Sequence, residues 1–215
     1  TETIRFIEQN KERPFFIYLP HYAVHTPIQP KPEVAEKYRK KPQPAGKEIN
    51  PGYAALVESV DDSVGRLIET LDRLNLTGRT YLFFTSDNGG LVRHTSNKPL
   101  REGKGSAYEG GVRVPLIVRG PNIKVQTHDT PVITTDFYPT ILELAGVPLG
   151  NEQTVEGTSI VPLLHDNGNL SRTDLFWHYP HYHPGGATPY SAVRSGDFKL
   201  IQFYEDGALE LYDLK

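Results

Sequence analysis

The stretch from Thr80 to Gly90 constrains the fold of this chain more than any other. Its first half, Tyr81 to Thr85, is a run of aromatic, aliphatic and β-branched residues that predicts a buried strand. The run stops at Ser86-Asp-Asn-Gly-Gly90, where two oxygen-bearing side chains precede a glycine pair. Because ligands of open α/β sheets bind just beyond the carboxyl ends of strands, the segment is also a candidate site.

Asp87 and Asn88 are the candidate ligands at this strand end. A carboxylate and an amide oxygen are hard donors of the kind that Ca²⁺ or Mg²⁺ prefers. The same residues also suit an Asx-turn with a glycine exit, and taken alone the segment supports both interpretations equally. The neighbouring motifs favour the metal interpretation.

The segment before this strand predicts the clearest helix of the chain. Apolar residues recur on one face at helical spacing, at Tyr53, Leu56, Val57, Val60, Val64, Leu67, Ile68, Leu71 and Leu74. An earlier apolar run, Phe15 to Leu19, predicts another strand, and residues 28–52 between them predict a long surface loop. Strand, helix and strand in this order indicate an α/β fold with part of a mainly parallel sheet flanked by helices.

From Leu175 onward the pattern changes. Four short strand candidates at 175–179, 190–194, 199–203 and 208–212 are separated by glycine turns, which predicts a small antiparallel sheet. We therefore predict a portion of an α/β domain over residues 1–170 and the start of a small antiparallel subdomain over residues 171–215.

Composition excludes several function classes. A formal net charge of −3 without basic runs argues against nucleic-acid binding. No apolar stretch approaches the roughly 20 residues of a membrane span. The absence of cysteine excludes disulfides, thiol catalysis and a Cys-ligated zinc site. The chain also lacks methionine and starts within a predicted helix, so we expect both ends to be internal to a longer protein.

Two loop residues, His25 and Lys104, are further candidates. His25 lies in a loop framed by prolines, so an anion contact or proton donor fits it better than a helical metal pair. Lys104 stands between two glycines, which leave its backbone room to approach a ligand. Taken alone, each is more often an ordinary surface or hydrogen-bonded side chain.

Several motifs follow one another in a fixed order along the chain. They are Phe15–Leu19 with His25-Thr-Pro27, the 53–74 helix, Thr85-Ser-Asp-Asn-Gly-Gly90, Gly103-Lys-Gly-Ser-Ala-Tyr-Glu-Gly-Gly-Val-Arg-Val-Pro115, Asp136-Phe-Tyr-Pro-Thr140, Glu156-Gly-Thr-Ser159 and Lys199-Leu. In this order they resemble the sulfatase family of the alkaline-phosphatase superfamily, although only the C-terminal half of such an enzyme. The resemblance implies an alkaline-phosphatase-like fold, hydrolysis of sulfate monoesters and a location outside the cytoplasm.

The resemblance also implies roles for individual residues. Asp87 and Asn88 match a metal-ligand pair of these enzymes, and the expected cation is Ca²⁺, with Mg²⁺ as the other option. Lys104 matches the lysine that contacts the sulfate, and His25 matches the histidine that faces the sulfate and the leaving-group oxygen. A cation, a lysine and a protonated histidine all stabilise the charge that grows on the bridging oxygen as the S–O bond breaks.

The implied substrate is a sulfated small molecule or a sulfated glycan. Arg101 lies close to the lysine motif in sequence and is a candidate substrate contact. The ring-rich stretch Trp177-His-Tyr-Pro-His-Tyr-His183 is a candidate rim, with His181 and His183 as hydrogen-bonding contacts. Packing of these rings between the small sheet and the main domain explains the stretch equally well, whereas a metal site lacks a carboxylate at ligand spacing.

The nucleophile segment of the family does not occur in this chain. That nucleophile is a formylglycine made within a Cys/Ser-x-Pro-x-Arg signature, and in Ser96-Asn-Lys-Pro-Leu-Arg101 the proline falls one place late. Asp61 and Asp62 lie inside the predicted helix and do not replace the paired acidic ligands of a complete enzyme. The sequence therefore predicts a sulfatase fragment, inactive alone, whose formylglycine belongs to a missing N-terminal half. The alternatives are a phosphomonoesterase or phosphodiesterase of the same superfamily and a non-catalytic anion- or glycan-binding domain.

Overall fold

A computed structural model of the protein describes residues 2–43, 49–150, 153–165 and 168–215. The helices are α1 (Glu2–Asn10), α2 (Pro32–Arg39), α3 (Pro51–Arg73), α4 (Glu109–Val112), α5 (Phe137–Leu144) and α6 (Val161–His165). The strands are β1 (Leu82–Thr85), β2 (Leu116–Arg119), β3 (Asp174–Tyr179), β4 (Tyr190–Ser195), β5 (Phe198–Phe203) and β6 (Leu209–Asp213). The chain divides into two compact units, residues 1–82 with 92–96 and residues 83–91 with 97–215. None of the described helices is long and apolar enough to cross a bilayer.

The first unit is organised around α3, the predicted long helix. Its N-cap residue Asn50 accepts hydrogen bonds from two backbone N–H groups of the first turn, and a proline at the first helical position suits the helix start. The apolar face of α3 packs with α1 in a core centred on Ile7, Leu71 and Leu76. Asp61 and Asp62 are exposed on this helix, as expected of solvated charges.

Two local predictions in this unit were wrong. Residues 32–39, predicted as loop, form α2, which starts with a proline and buries Ala35 to 1% exposure. Contact with α3 stabilises this short helix, which has too few turns to be stable alone. Phe15 and Ile17 pack on the α1–α3 core, but within the described ranges the 15–19 stretch carries no strand ladder. A ladder requires a hydrogen-bonded neighbour, and the apolar run itself does not provide one.

The second unit contains the predicted C-terminal sheet. Its four strands are antiparallel in the order β3-β4-β5-β6. The register aligns one row of Leu175, Arg194, Lys199 and Tyr212 and a second row of Trp177, Ala192, Ile201 and Glu210. Because alternate residues of a strand point to one face, both rows belong to the face that packs around Ala107, Tyr190, Ala192 and Ile201.

Strand β1 pairs with β2 in a separate two-stranded sheet. Phe83, Leu116 and Val118 from these strands pack on a core of Ile160, Leu163 and Leu164. Two strands do not show the mainly parallel sheet, which stays a prediction. The division of the chain between residues 170 and 171 stays a prediction as well.

A buried carboxylate fastens the start of α5. Asp136 is 0% exposed, and it accepts two bonds from the Arg172 guanidinium at 2.6 and 2.8 Å. The backbone N–H groups of Ile133 and Thr158 also donate to it, each at 2.9 Å. Burial opposes ionisation, but these donors outweigh it and lower the pKa of Asp136. One side chain thereby joins three segments that are distant in sequence.

Candidate functional site

Asp87 and Asn88 lie just beyond the carboxyl end of β1. The Asn88 side-chain amide donates to an Asp87 carboxylate oxygen, so the two side chains face each other. The Ser86 hydroxyl donates to the backbone carbonyl of Asn88 at 3.0 Å and holds the turn. The Asp87 side chain is exposed, so its carboxylate is accessible to a ligand.

The glycines that follow are required by close contact between two backbone segments. The Gly89 N–H donates to the Gly111 carbonyl at 2.9 Å. A Cβ placed on Gly89 would lie only 1.7 Å from the Gly110 carbonyl oxygen, a distance that no side chain tolerates. The strand-end turn is therefore seated directly on the 103–111 segment.

Asn97 joins these segments, although the sequence analysis did not single it out. Its amide accepts from the Gly90 N–H at 2.9 Å and donates to the Gly90 carbonyl at 2.7 Å. It also donates to the Glu102 carbonyl at 3.0 Å. Asn97 lies in a polar stretch without periodicity, so no pattern identified it. The one available signal was its residue type, because asparagine side chains often form hydrogen bonds with nearby backbone groups in turns.

Lys104 is held beside the same turn. Its backbone N–H donates to the Gly90 carbonyl at 3.1 Å, and the following Gly105 adopts a positive φ of 82°. The lysine side chain is half-buried, and among the described residues no hydrogen bond or ion pair engages its ammonium group. The structure thus brings the backbone of Lys104 next to the turn that carries Asp87 and Asn88.

His183 belongs to this cluster. A Cβ placed on Gly105 would lie 2.2 Å from the His183 Nδ1 atom, so the imidazole directly covers this glycine. The same Nδ1 accepts a hydrogen bond from the Gly185 N–H at 2.8 Å. The neutral ring therefore carries its proton on Nε2, which remains able to donate to a ligand.

The rest of the ring-rich stretch divides between both faces of the sheet. Trp177 and Tyr179 pack on the inner core, as the packing alternative expects. His178 contacts the Tyr204 hydroxyl at 2.8 Å instead. His181 is exposed, with its ring edge-to-face on Tyr179 at 5.5 Å between centroids. In this stretch, His183 is the histidine whose ring nitrogen lies against the loop that carries Lys104.

Arg101 is engaged by the C-terminal sheet. Its guanidinium carbon lies 3.8 Å from the Tyr108 ring centroid, and it donates to the Tyr212 hydroxyl. Glu210 accepts a hydrogen bond from the Tyr108 hydroxyl at 2.9 Å. Burial, followed by this bond, raises the pKa of Tyr108 to about 12, so the phenol stays a donor. The predicted contact of Arg101 with a substrate stays a prediction.

His25 lies in the other compact unit, so a site shared with Lys104 stays a prediction. The ring is exposed, and its Nδ1 lies 2.8 Å from the Thr26 carbonyl oxygen. Because a carbonyl only accepts, this nitrogen carries a proton, and Nε2 faces away from that bond. The ring therefore has one nitrogen committed to the backbone and one available for chemistry.

The donor set fits part of a divalent-cation site. Asp87 and Asn88 each carry a side-chain oxygen that could bind a cation, whereas Ca²⁺ takes about six to eight oxygens. Across the described ranges, no group of three or more His, Cys, Asp or Glu side chains could hold a metal ion. The remaining ligands of such a site would therefore come from groups other than a described acidic cluster.

Known proteins share the sequence pattern of this chain over most of its length. The family profile described as "Sulfatase" matches residues 1–147, and that of "N-sulphoglucosamine sulphohydrolase, C-terminal" matches residues 103–215. The chain belongs to the sulfatase family. This sulfatase chain is 39% identical over 224 residues to a sulfatase of Formosa agariphila, an alignment that covers 94% of the chain and 40% of that protein. It is 33% identical over 189 residues to human steryl-sulfatase, covering 83% of the chain and 31% of that protein.

Solved structures show the same fold. The sulfatase chain superposes on Ps i-CgsB, solved with k-i-k-neocarrahexaose, with a TM-score of 0.85 and 32% identity over 99% of this chain and 47% of that one. BT4656, solved with its substrate D-glucosamine-2-N,6-O-disulfate, gives 0.63 and 32% over 76% of this chain and 33% of that one. The putative sulfatase yidJ of Bacteroides fragilis, at 24% identity and 0.76 over 99% of this chain and 50% of that one, supports the fold alone. The alkaline-phosphatase-like α/β fold is therefore confirmed at the level of the family, and the chain spans about half or less of these relatives.

Proposed function

We propose that this chain supplies the C-terminal part of the active site of a sulfuric ester hydrolase that cleaves sulfate monoesters. The observation that carries the proposal is the hydrogen bond from the Lys104 N–H to the Gly90 carbonyl, which fastens the Gly-Lys-Gly motif to the Asp87–Asn88 turn. A cationic side chain and a pair of cation-binding oxygens at one strand end suit a substrate whose negative charge is spread over several oxygens. Family membership supports the same reaction.

Lys104 and His25 carry complementary roles in this proposal. The Lys104 ammonium contacts the sulfate oxygens and stabilises their charge as the S–O bond breaks. His25, protonated on Nε2, gives its proton to the departing oxygen. The Thr26 carbonyl accepts a hydrogen bond from Nδ1, so Nε2 is the nitrogen left to carry the transferred proton.

Asp87 and Asn88 would hold the divalent cation that the family implies, and we propose Ca²⁺, with Mg²⁺ as the alternative. A bound cation supplies positive charge for the sulfate group. The formylglycine nucleophile expected of the family would come from a part of the protein outside this chain, which contains no Cys/Ser-x-Pro-x-Arg signature. We also propose that the protein acts outside the cytoplasm.

Replacing Lys104 with alanine in the whole protein tests this assignment. We expect a loss of about 2–4 kcal/mol of transition-state stabilisation, because one preorganised donor is removed from the developing charge. His25→Ala should cost a similar amount. The measurement is kcat/KM for 4-nitrophenyl sulfate.

Lys124→Ala is the matched control, because it removes an exposed lysine from the same compact unit. It should leave turnover unchanged. A Lys104→Ala variant as active as this control would rule out the sulfate contact. Measuring 4-nitrophenyl phosphate in parallel separates the sulfatase from the phosphoesterase alternative, since a higher kcat/KM on the phosphate would favour the latter.

We further propose that the substrate is a sulfated glycan and that His181 and His183 contact it. The position of the His183 ring over Gly105, next to Lys104, supports this substrate class. Two of the structural relatives were solved with saccharide ligands, a neocarrahexaose and a glucosamine disulfate.

Alanine at His181 and His183 should lower activity on a sulfated oligosaccharide while sparing 4-nitrophenyl sulfate. The small ester lacks the remote sugar contacts that these rings would make, so their removal affects only the larger substrate. His178→Ala, which removes a histidine bonded within the sheet, should affect both substrates equally. If the His181 and His183 variants also lose both activities equally and melt at a lower temperature, the rings have a packing role.

A further inference from the structure

Lys199 is the most buried cationic side chain among those the structure describes. It lies on the inner face of β5 with 1% of its surface exposed, and its ammonium donates to a Glu109 carboxylate oxygen at 2.9 Å. The other oxygen of Glu109 lies 3.8 Å from an Arg194 guanidinium nitrogen. The ammonium also stands 5.1 Å from the centre of the Trp177 ring.

Stability alone does not explain a lysine at this position. Burial lowers the pKa of Lys199, and the bond to Glu109 opposes only part of that shift. A buried ion pair contributes little net stability, because removing two charges from water offsets most of their attraction. An apolar residue of similar volume would usually serve a core equally well, whereas an ion pair fixes one arrangement of the two segments that it joins.

The segment that Lys199 fixes is the loop that carries Lys104. Glu109 starts α4 a few residues after Lys104, and Ala107 between them is buried in the core beneath the sheet. The Gly110 N–H donates to the Arg101 carbonyl at 2.8 Å, so residues 101–110 form a closed loop. The sheet therefore holds this loop at Glu109, while Gly90 holds it at the Lys104 N–H.

The register of the sheet supports the same conclusion. Arg194, Lys199 and Tyr212 lie side by side in one row across β4, β5 and β6. The first two approach Glu109 and the third accepts a hydrogen bond from Arg101, so one row holds both ends of the closed loop.

We propose that Lys199 is a positioning residue for the reaction: through its ion pair with Glu109 it sets the location of the Lys104 ammonium. The inference rests on the sulfate-binding role proposed for Lys104. Lys199 itself touches no substrate in this proposal.

The test is a double-mutant cycle in the whole protein, with Lys199→Met and Lys104→Ala made singly and together. With 4-nitrophenyl sulfate, Lys199→Met should lower kcat/KM by about 10- to 100-fold, the scale expected when a contacting group is displaced by about 1 Å. The loss should appear mainly in kcat. In the Lys104→Ala background the same substitution should have almost no further effect, because the group that Lys199 positions is already absent.

Equal losses in both backgrounds would overturn the proposal, since they would indicate a general effect on folding. An unchanged kcat/KM in Lys199→Met would overturn it too. Lys199→Arg should restore most of the activity by keeping the ion pair, and Lys215→Met should change nothing, because its pair with Asp197 is exposed on the same sheet.

If Lys199→Met does not fold, Lys199→Met with Glu109→Gln takes its place in the cycle, because it removes both charges of the closest pair, while Arg194 keeps its bond to the Gly196 carbonyl. The same two outcomes then decide the proposal. The two proposals fail in different ways. If the proposed function is wrong, Lys104→Ala alone has normal turnover. If only the role of Lys199 is wrong, Lys104→Ala still loses activity.

Discussion

Replacing Asp87 with alanine in the whole protein is expected to abolish both bound metal and sulfate-ester turnover. Asp87 supplies the charged member of the candidate ligand pair that follows the carboxyl end of β1. A hard divalent cation depends on such anionic oxygen ligands, so the neutral Asn88 amide should not retain it alone. Two measurements check the result: the metal content after exhaustive dialysis, by elemental mass spectrometry, and kcat. The first also shows whether the wild-type metal is Ca²⁺ or Mg²⁺.

Asp129→Ala serves as the control, because it removes an exposed carboxylate from the same compact unit. It should keep stoichiometric metal and normal turnover. The ligand assignment fails if Asp87→Ala also keeps both. The chain alone should bind metal weakly, because the two donors at β1 are a minority of the roughly six to eight oxygens that Ca²⁺ takes.

Replacing Asp136 with alanine should lower the free energy of unfolding by about 3–5 kcal/mol, since it leaves the Arg172 guanidinium, whose side chain is only 18% exposed, without its partner. Asp136→Asn should lose less, because an amide oxygen still accepts one bond. The measurement is a urea titration of each variant, with the midpoint compared at constant slope.

The pH dependence of stability follows from the same ion pair. The folded-state pKa of Asp136 lies below its unfolded value, so its contribution is complete above the unfolded pKa, which is about 4 for an aspartate. The contribution is lost as the pH falls through the lower, folded-state pKa. Wild type should therefore lose more stability on acidification than Asp136→Ala does.

Asp197→Ala is the control for the stability prediction, because it breaks an exposed ion pair. It should lower the free energy of unfolding by no more than about 1 kcal/mol at neutral pH. If Asp136→Ala lowers it by only a similar amount, the buried-pair argument is contradicted.

Residue pattern alone predicted much of the secondary structure. The helix α3 was identified because its apolar stripe has the helical period. The strand β1 was identified as a continuous apolar run, and β3 to β6 as short strand candidates separated by glycine turns. The order of motifs such as Asp87-Asn-Gly-Gly90 indicated the sulfatase family, which the family profiles confirmed. These features depend on residues that are neighbours along the chain, so they can be identified from the sequence alone.

Helix α2 and the roles of particular side chains depended on the tertiary structure. Residues 32–39 become helical through contact with α3, and Asn97 gains its role only where Gly90 and Glu102 approach it. The sequence identified Lys199 as part of a motif, but it did not predict the ion pair, because the partner Glu109 is distant along the chain. The sequence by itself determined which segments form elements and which family they belong to. Only the tertiary structure decided which polar groups meet, because the desolvation of a buried charge and the geometry of its partner arise when distant segments pack together.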